Sequence, residues 1–336
     1  MKLYKIVFTS TLILGTMMAI SSYSWLTMWM GMEINLLSII PLLSSQKNLY
    51  SSESSMKYFI TQAIASTILL MSVVMMLLMN EFISPQMNSW FSTIMNSALL
   101  TKMGAAPFHF WFPEVMEGLN WVNCLIMLTW QKIAPMAVMM SNHLNKNFMM
   151  AVIIMCLSIS TIMAINQVSL RKLMAFSSIN HIAWMIAAMM ISSSSWMVYF
   201  CIYSLMNLTI VLTFKATHSF YLKQLSSAMN KNKLIKISFM TNFLSLGGLP
   251  PFIGFMPKWF VINWMINNNM YSASFLMIVL TLIMLFVYIR MTFSSILLEI
   301  NEPKTPNIKI NHKSISTINV TSILGLLAIP FVFNLL

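Results

Sequence analysis

The sequence predicts an all-α polytopic membrane protein of about eleven transmembrane helices. Three observations carry that prediction. Of 336 residues, 58% are hydrophobic and 8% charged, with a mean hydropathy of +0.78, which leaves too little polar surface to cover a water-soluble globule of this size. Apolar windows of about 20 residues, the length that crosses a hydrocarbon core, recur from end to end. The cations lie between those windows and gather on one side once the loops are assigned alternately.

The first helix, near 3–21, follows Lys2 and Lys5 and ends at Ser21-Ser22. A charged start, an apolar stretch and a small-residue end resemble a secretory signal, but another span begins almost at once, so it is read as an uncleaved first helix. The second, near 25–43, contains Glu33, the one acid well inside a predicted span. A plain apolar window near 57–79 gives the third. The fourth, near 88–111, runs into Gly104 and Pro107, and the fifth, near 119–141, holds Gln131-Lys132-Ile133-Ala134-Pro135 and hence an internal proline. The sixth lies near 147–165; the seventh, near 172–191, carries His181, and the eighth, near 196–216, closes at Lys215. The ninth, near 238–266, is interrupted at Gly247-Gly248 and Pro250-Pro251; the tenth and eleventh lie near 271–295 and 315–335. The longest connections, 217–237 and 296–314, read as surface loops and not as a second domain.

With eleven spans, thirteen loop cations fall on the side of the N-terminus and Lys146 alone on the other. One missed or false span would scramble this division, so it supports the count independently. By the positive-inside rule the N-terminus faces the side of synthesis and the C-terminus the opposite side. The excess of 19 Lys and Arg over 7 acids, none of them Asp, therefore orients the chain; no basic cluster with interleaved aromatics on a polar surface points to nucleic acid.

Several chemistries are excluded. Cys124, Cys156 and Cys201 sit in apolar stretches without ligand spacing, so neither a disulfide framework nor an iron–sulfur or zinc centre is expected. The 37 Met residues are scattered at leucine-like positions, as flexible apolar filler and not as a thioether copper site. Gly247-Gly248 lacks the strand and the GK[ST] of a phosphate loop, the histidines have no metal-site spacing, and no Ser/His/acid constellation stands out.

The informative motif is a repeated helix break. Gly104-Ala-Ala-Pro107-Phe108 and Gly248-Leu-Pro-Pro251-Phe252 are 144 positions apart (248 − 104), and at that offset a second proline, Pro113 and Pro257, also coincides. The broken helices are the fourth and the ninth; an odd difference makes them cross in opposite directions. Residues 1–143 and 144–296 are then expected to be inverted repeats, with 297–336 a loop and a C-terminal helix. Broken helices in corresponding positions of inverted repeats point to a transport site.

Four ionisable residues lie deep in the predicted spans: Glu33, Lys102, Lys132 and Lys258. Lys215 and Arg290 lie close to the positive side, where they can snorkel to the headgroups. At about 1.5 Å per residue, Glu33 is roughly 12 Å and Lys102 roughly 20 Å from the weakly charged side. A charge near the bilayer centre costs on the order of 2.5–3.5 kcal/mol. A purely structural reading pairs Glu33 with Lys102, but one acid cannot neutralise three lysines. The functional reading uses the same physics: burial disfavours a charged lysine and a nearby carboxylate favours it, so a lysine between the two can load and release a proton. Pro107 and Pro250-Pro251 free backbone carbonyls, tolerated only where protein or water satisfies them. His181 is a possible relay and His109 adjoins the first break.

The stretches Trp29-Met-Gly-Met-Glu33-Ile-Asn35, Lys102-Met-Gly-Ala-Ala-Pro107-Phe-His-Phe-Trp111-Phe-Pro-Glu114, Trp130-Gln-Lys132-Ile-Ala-Pro135 and Gly247-Gly-Leu-Pro250-Pro251-Phe-Ile-Gly-Phe-Met-Pro257-Lys258-Trp259 resemble, in combination, the chain 2 family of mitochondrial NADH:ubiquinone oxidoreductase, respiratory complex I. The resemblance covers essentially the whole chain, and the richness in Met resembles an AT-rich invertebrate, insect-like mitochondrial genome. It implies an antiporter-like fold of two inverted five-helix repeats, each with a broken helix. Bacterial members have fourteen helices and animal members lack the first three, which agrees with about eleven here. The resemblance implies a place in the mitochondrial inner membrane, with the N-terminus in the matrix and the C-terminus toward the intermembrane space. Its partners would be the other membrane-arm and accessory subunits of the complex, with phospholipids.

In that family Glu33 and Lys102 form the glutamate–lysine pair, Lys132 is the central connecting lysine and Lys258 the lysine of the second broken helix. The subunit itself binds no cofactor; NADH, flavin, iron–sulfur clusters and ubiquinone are served elsewhere in the assembly. The expected function is a part in proton translocation from matrix to intermembrane space, coupled to electron transfer from NADH to ubiquinone. Two alternatives stay open: a stand-alone cation/proton antiporter subunit, against which the lack of Asp and the single deep acid argue, and a mainly structural assembly subunit.

Overall fold

The computed structural model describes residues 3–45, 48–79, 85–225, 233–250 and 252–297. The expected eleventh helix near 315–335, and with it the segment beyond 297, lies outside the described residues, as does Pro251. The described residues fall into two compact units, one through Val152 and one from Ile153. No strand occurs among them, apart from an isolated bridge between Ser169 and Tyr221.

The first unit holds α1 (Leu3–Ser21), α2 (Trp25–Leu43), α3 (Leu49–Met79), α4 (Pro85–Met103), α5 (Trp111–Gly118), α6 (Trp121–Leu128) and α7 (Trp130–Ser141). Ser24 caps α2 by accepting from the Thr27 amide, as a helix start requires. Helix α3 begins eight residues before the expected Lys57. Its first turns are too polar to register as an apolar window, but the Asn48 side chain accepts from the Tyr50 amide at 3.2 Å and so starts the helix. Helices α1 and α2 cross with no side chains between them at Gly15 and Gly31, where a Cβ on Gly31 would stand 2.6 Å from the Ala19 nitrogen.

The expected fifth helix is two. Thr129, at φ −115° and ψ −70°, separates α6 from α7. Pro135 withholds the N–H that the Gln131 carbonyl would accept, and the Thr129 hydroxyl donates to the Leu125 carbonyl at 2.7 Å in competition with the backbone. Helix α8 (Lys146–Ile165) carries the boundary between the units.

The second unit continues with α9 (Leu170–Met189), α10 (Ser193–Thr217), α11 (Lys233–Gly247), α12 (Phe255–Asn267) and α13 (Tyr271–Leu297). Helix α9 is enclosed on nearly every side, only Arg171 and Lys172 escaping burial. That enclosure is why it can carry Ser177, Ser178, Asn180 and His181 without facing lipid. Seven helices among the described residues are long and apolar enough to cross a membrane. The interrupted pairs α4–α5 and α11–α12, together with α9, complete ten crossing units among the described residues.

Both breaks have the same backbone chemistry, and the glycine makes them. Gly104 (φ +74°) donates to Thr101 O at 3.1 Å while Ala105 donates to Leu100 O at 3.0 Å. Gly248 (φ +79°) donates to Ser245 O at 3.0 Å while Leu249 donates to Leu244 O at 3.4 Å. This is the Schellman termination, in which a left-handed residue just past the helix ties up its last carbonyls. The turn that follows repeats as well: Phe108 N to Ala105 O and Phe252 N to Leu249 O are both 2.9 Å, again 144 residues apart (252 − 108). The expected origin of the breaks at the prolines is therefore corrected. Each helix has already ended at glycine, and Pro107 and Pro250 fall in the segment beyond.

Candidate functional site

In the first unit, Lys102 sits in the last turn of α4, just ahead of the glycine termination, and is 7% exposed. Side chains brace the break as well: Trp111 Nε1 donates at 3.1 Å to Thr101 O, which the Gly104 amide already reaches, and Gln62 Nε2 donates to the otherwise free Lys102 O at 3.4 Å. The Lys102 amine takes no part in this capping and donates to no group among the described residues. Its side chain lines a cavity of about 20 Å³ whose polar wall is Asn35 from α2, Tyr58 and Gln62 from α3, and Gln131 from α7.

Three of those residues form a string. The Tyr58 hydroxyl donates to Gln131 Oε1 at 3.2 Å, and Gln131 Nε2 donates to Asn35 Oδ1 at 3.0 Å. Glu33, two residues before Asn35, and Lys102 do not come within ion-pair distance of each other. The Glu33 Oε1 atom is buried with no hydrogen-bond partner among the described residues. The simple buried ion pair that a structural reading requires is therefore not formed. Lys132, next to Gln131 in the first turn of α7, is 1% exposed, with its ammonium 5.8 Å from the centre of the Phe112 ring. His109 is buried in the break, its Nδ1 3.4 Å from Pro107 O.

In the second unit the lysine has a different task. Lys258, in the first turn of α12, reaches back across the break and donates to Gly247 O at 2.9 Å and Leu246 O at 3.4 Å, the last carbonyls of α11. Its amine also lies 5.9 Å from the Trp184 ring. His181, one turn before Trp184 on α9, is 2% exposed; its Nδ1 is 3.0 Å from the Tyr199 hydroxyl and its ring centre 5.1 Å from that of Tyr203. Trp184 Nε1 is buried without a hydrogen-bond partner among the described residues. Buried polar atoms in that condition are places for water.

The structure thus brings Lys102 beside the residue preceding Lys132, without an ion pair to Glu33, and puts Lys258 and His181 about Trp184. Tyr58, Gln62, Tyr199 and Tyr203 were not singled out from the sequence, and Asn35 only as part of a motif. A signal existed: Tyr58 and Gln62 are four apart, as are Tyr199, Tyr203 and Asn207, so each set lies along one helix face.

The NADH:quinone oxidoreductase/Mrp antiporter transmembrane family matches residues 22–284. NADH-ubiquinone oxidoreductase chain 2 of Anopheles gambiae is 47% identical over 332 residues, covering 97% of each chain. That of Aedes aegypti is 48% identical over 337 residues, covering 98% of each. Among solved structures, a chain of respiratory complex I from Thermus thermophilus with bound aureothin is similar at a TM-score of 0.87 and 21% identity, over 98% of this chain and 80% of that one. A chain of the Mrp complex from Dietzia is similar at 0.75 and 15% identity, over 90% of this chain and 62% of that one. At such identities the solved structures speak for the fold alone.

Proposed function

The chain belongs to the chain 2 family of NADH-ubiquinone oxidoreductases, and from that premise we propose that it is a core membrane-arm subunit of respiratory complex I taking part in proton translocation. It is a multi-pass protein of the mitochondrial inner membrane and works as part of the proton-translocating NADH:ubiquinone reductase. Protons move from matrix to intermembrane space, driven by electron transfer from NADH to ubiquinone in other subunits, which serve NADH, flavin, iron–sulfur clusters and ubiquinone. The N-terminus lies in the matrix and the C-terminus toward the intermembrane space. Exposed apolar faces such as Leu3, Leu14, Met71 and Phe275 meet phospholipid or the membrane-arm and accessory subunits.

The observation that carries the reading is Lys102: a buried amine beside a polar cavity, spared from capping the helix it ends and not neutralised by contact with the Glu33 carboxylate. Withdrawal or approach of Glu33 then sets whether the amine holds its proton. Lys132 passes protons across the middle, and Lys258 gates the outlet half with His181 as relay. The rival cation antiporter rests on a fold likeness at 15% identity, whereas relatives at 47% and 48% are oxidoreductase chains. Glu33→Gln removes the bias and keeps the shape. In assembled complex in sealed vesicles it should lower proton translocation per NADH oxidised, at unchanged abundance of the complex. Unchanged translocation would count against the reading.

A further inference from the structure

The geometry points to a positioning role for Gln131: held between Asn35 and Tyr58, it fixes a single water molecule in the Lys102 cavity, and that water is the proton-exchange partner of the Lys102 amine. The inference rests on the proton-moving reading above and supplies its missing chemistry, the molecule that touches the amine and the residue that places it.

Three features carry it. The cavity measures about 20 Å³, and a water needs about 10–15 Å³ by this measure, so a water molecule has room beside Lys102. An apolar cavity of this size would stay dry, but this wall is polar on three helices. Both ends of the Gln131 amide are committed, Oε1 to Tyr58 at 3.2 Å and Nε2 to Asn35 at 3.0 Å, so the side chain cannot turn over without breaking two hydrogen bonds.

Donor and acceptor accounting then fixes what the wall offers. Tyr58 has spent its only proton on Gln131, so its oxygen can only accept. Gln131 retains one amide hydrogen, Asn35 both of its own, and Gln62, with one hydrogen on Lys102 O, keeps another. A water finds both kinds of partner there and still has a place for Lys102. When the lysine is charged, the ammonium donates to the water oxygen; when it is neutral, its lone pair accepts a water hydrogen. The exchange balances as ammonium plus water against amine plus hydronium, and the hydronium hands its extra proton to further water at the open side of the cavity. Glu33, outside ion-pair distance, does not take this proton by contact.

The test is a high-resolution density map of the assembled complex, with proton translocation measured in sealed vesicles for Gln131→Leu, Tyr58→Phe and Lys102→Ala. Leucine matches glutamine in bulk without the amide; Tyr58→Phe deletes one oxygen and serves if Gln131→Leu does not assemble. In the unaltered complex an ordered water is expected at about 2.6–3.2 Å from the Lys102 amine. In Gln131→Leu that density should vanish with the helix backbones unmoved, and translocation per NADH should at least halve; Tyr58→Phe should shift the same density and lower translocation less. No water in the unaltered complex overturns the inference. So does full translocation in Gln131→Leu, or lost translocation with the water still in place. Translocation that survives Gln131→Leu but not Lys102→Ala overturns the role of Gln131 alone, whereas translocation that survives Lys102→Ala overturns the proton-moving reading itself.

Discussion

At the scale of the residue, the two lysines of the repeated break do different work. Lys258 is tied to Gly247 O and Leu246 O, so its amine is part of what ends α11, while the carbonyl of Lys102, the counterpart of Leu246 O, is left to Gln62 and the Lys102 amine stays out of the capping. Removing a partner from a buried hydrogen bond costs about 1–3 kcal/mol. Lys258→Met should therefore lower the thermal stability of the assembled complex, whereas Lys102→Met should leave it nearly unchanged and lower proton translocation. Melting of both variants followed by native electrophoresis checks this, and equal losses would contradict it. The lysines and Glu33 were legible in the sequence because a charge in an apolar stretch has few innocent explanations. Tyr58, Gln62, Tyr199 and Tyr203 were not, because tyrosine and glutamine occur in apolar helices for packing as often as for chemistry, and only their four-residue spacing marks them.

At the scale of the element, the breaks show what sequence pattern does and does not convey. Proline announces that a helix cannot continue, but glycine decides where it stops, since only the left-handed turn at Gly104 and Gly248 closes the last carbonyls. The start of α3 is set by one hydrogen bond, from Tyr50 N to Asn48, and not by hydropathy; at Thr129 the internal Pro135 was legible, but the hydroxyl bond to Leu125 O that helps place the interruption was not. Helix α2 positions Glu33 and Asn35 through its close crossing with α1. A Cβ on Gly31 would meet Ala19 N at 2.6 Å and Gly15 O at 2.9 Å, both backbone atoms that cannot step aside. Gly31→Val is expected to push α2 away from α1 and to lower proton translocation with no ionisable residue changed. Translocation equal to that of the unaltered complex would show that the α1–α2 crossing does not set the site.

At the scale of the whole molecule, hydropathy and charge placement conveyed the class and the spans found among the described residues. They could not show that α9 is wrapped by protein, because burial by neighbours is not written in a helix's own composition. The proposed orientation has a direct check. Ser52 and Ser194 are exposed near ends of helices assigned to opposite sides. Cysteine at Ser194 should react with a membrane-impermeant thiol reagent from the intermembrane-space side, and cysteine at Ser52 from the matrix side; the reverse pattern would invert the topology. That the chain conducts protons, and is not merely a scaffold, is tested most directly by counting protons translocated per NADH oxidised by complex carrying Lys102→Ala. A lower ratio is expected in complex that assembles and still oxidises NADH; an unchanged ratio in such complex would show that the chain is a scaffold.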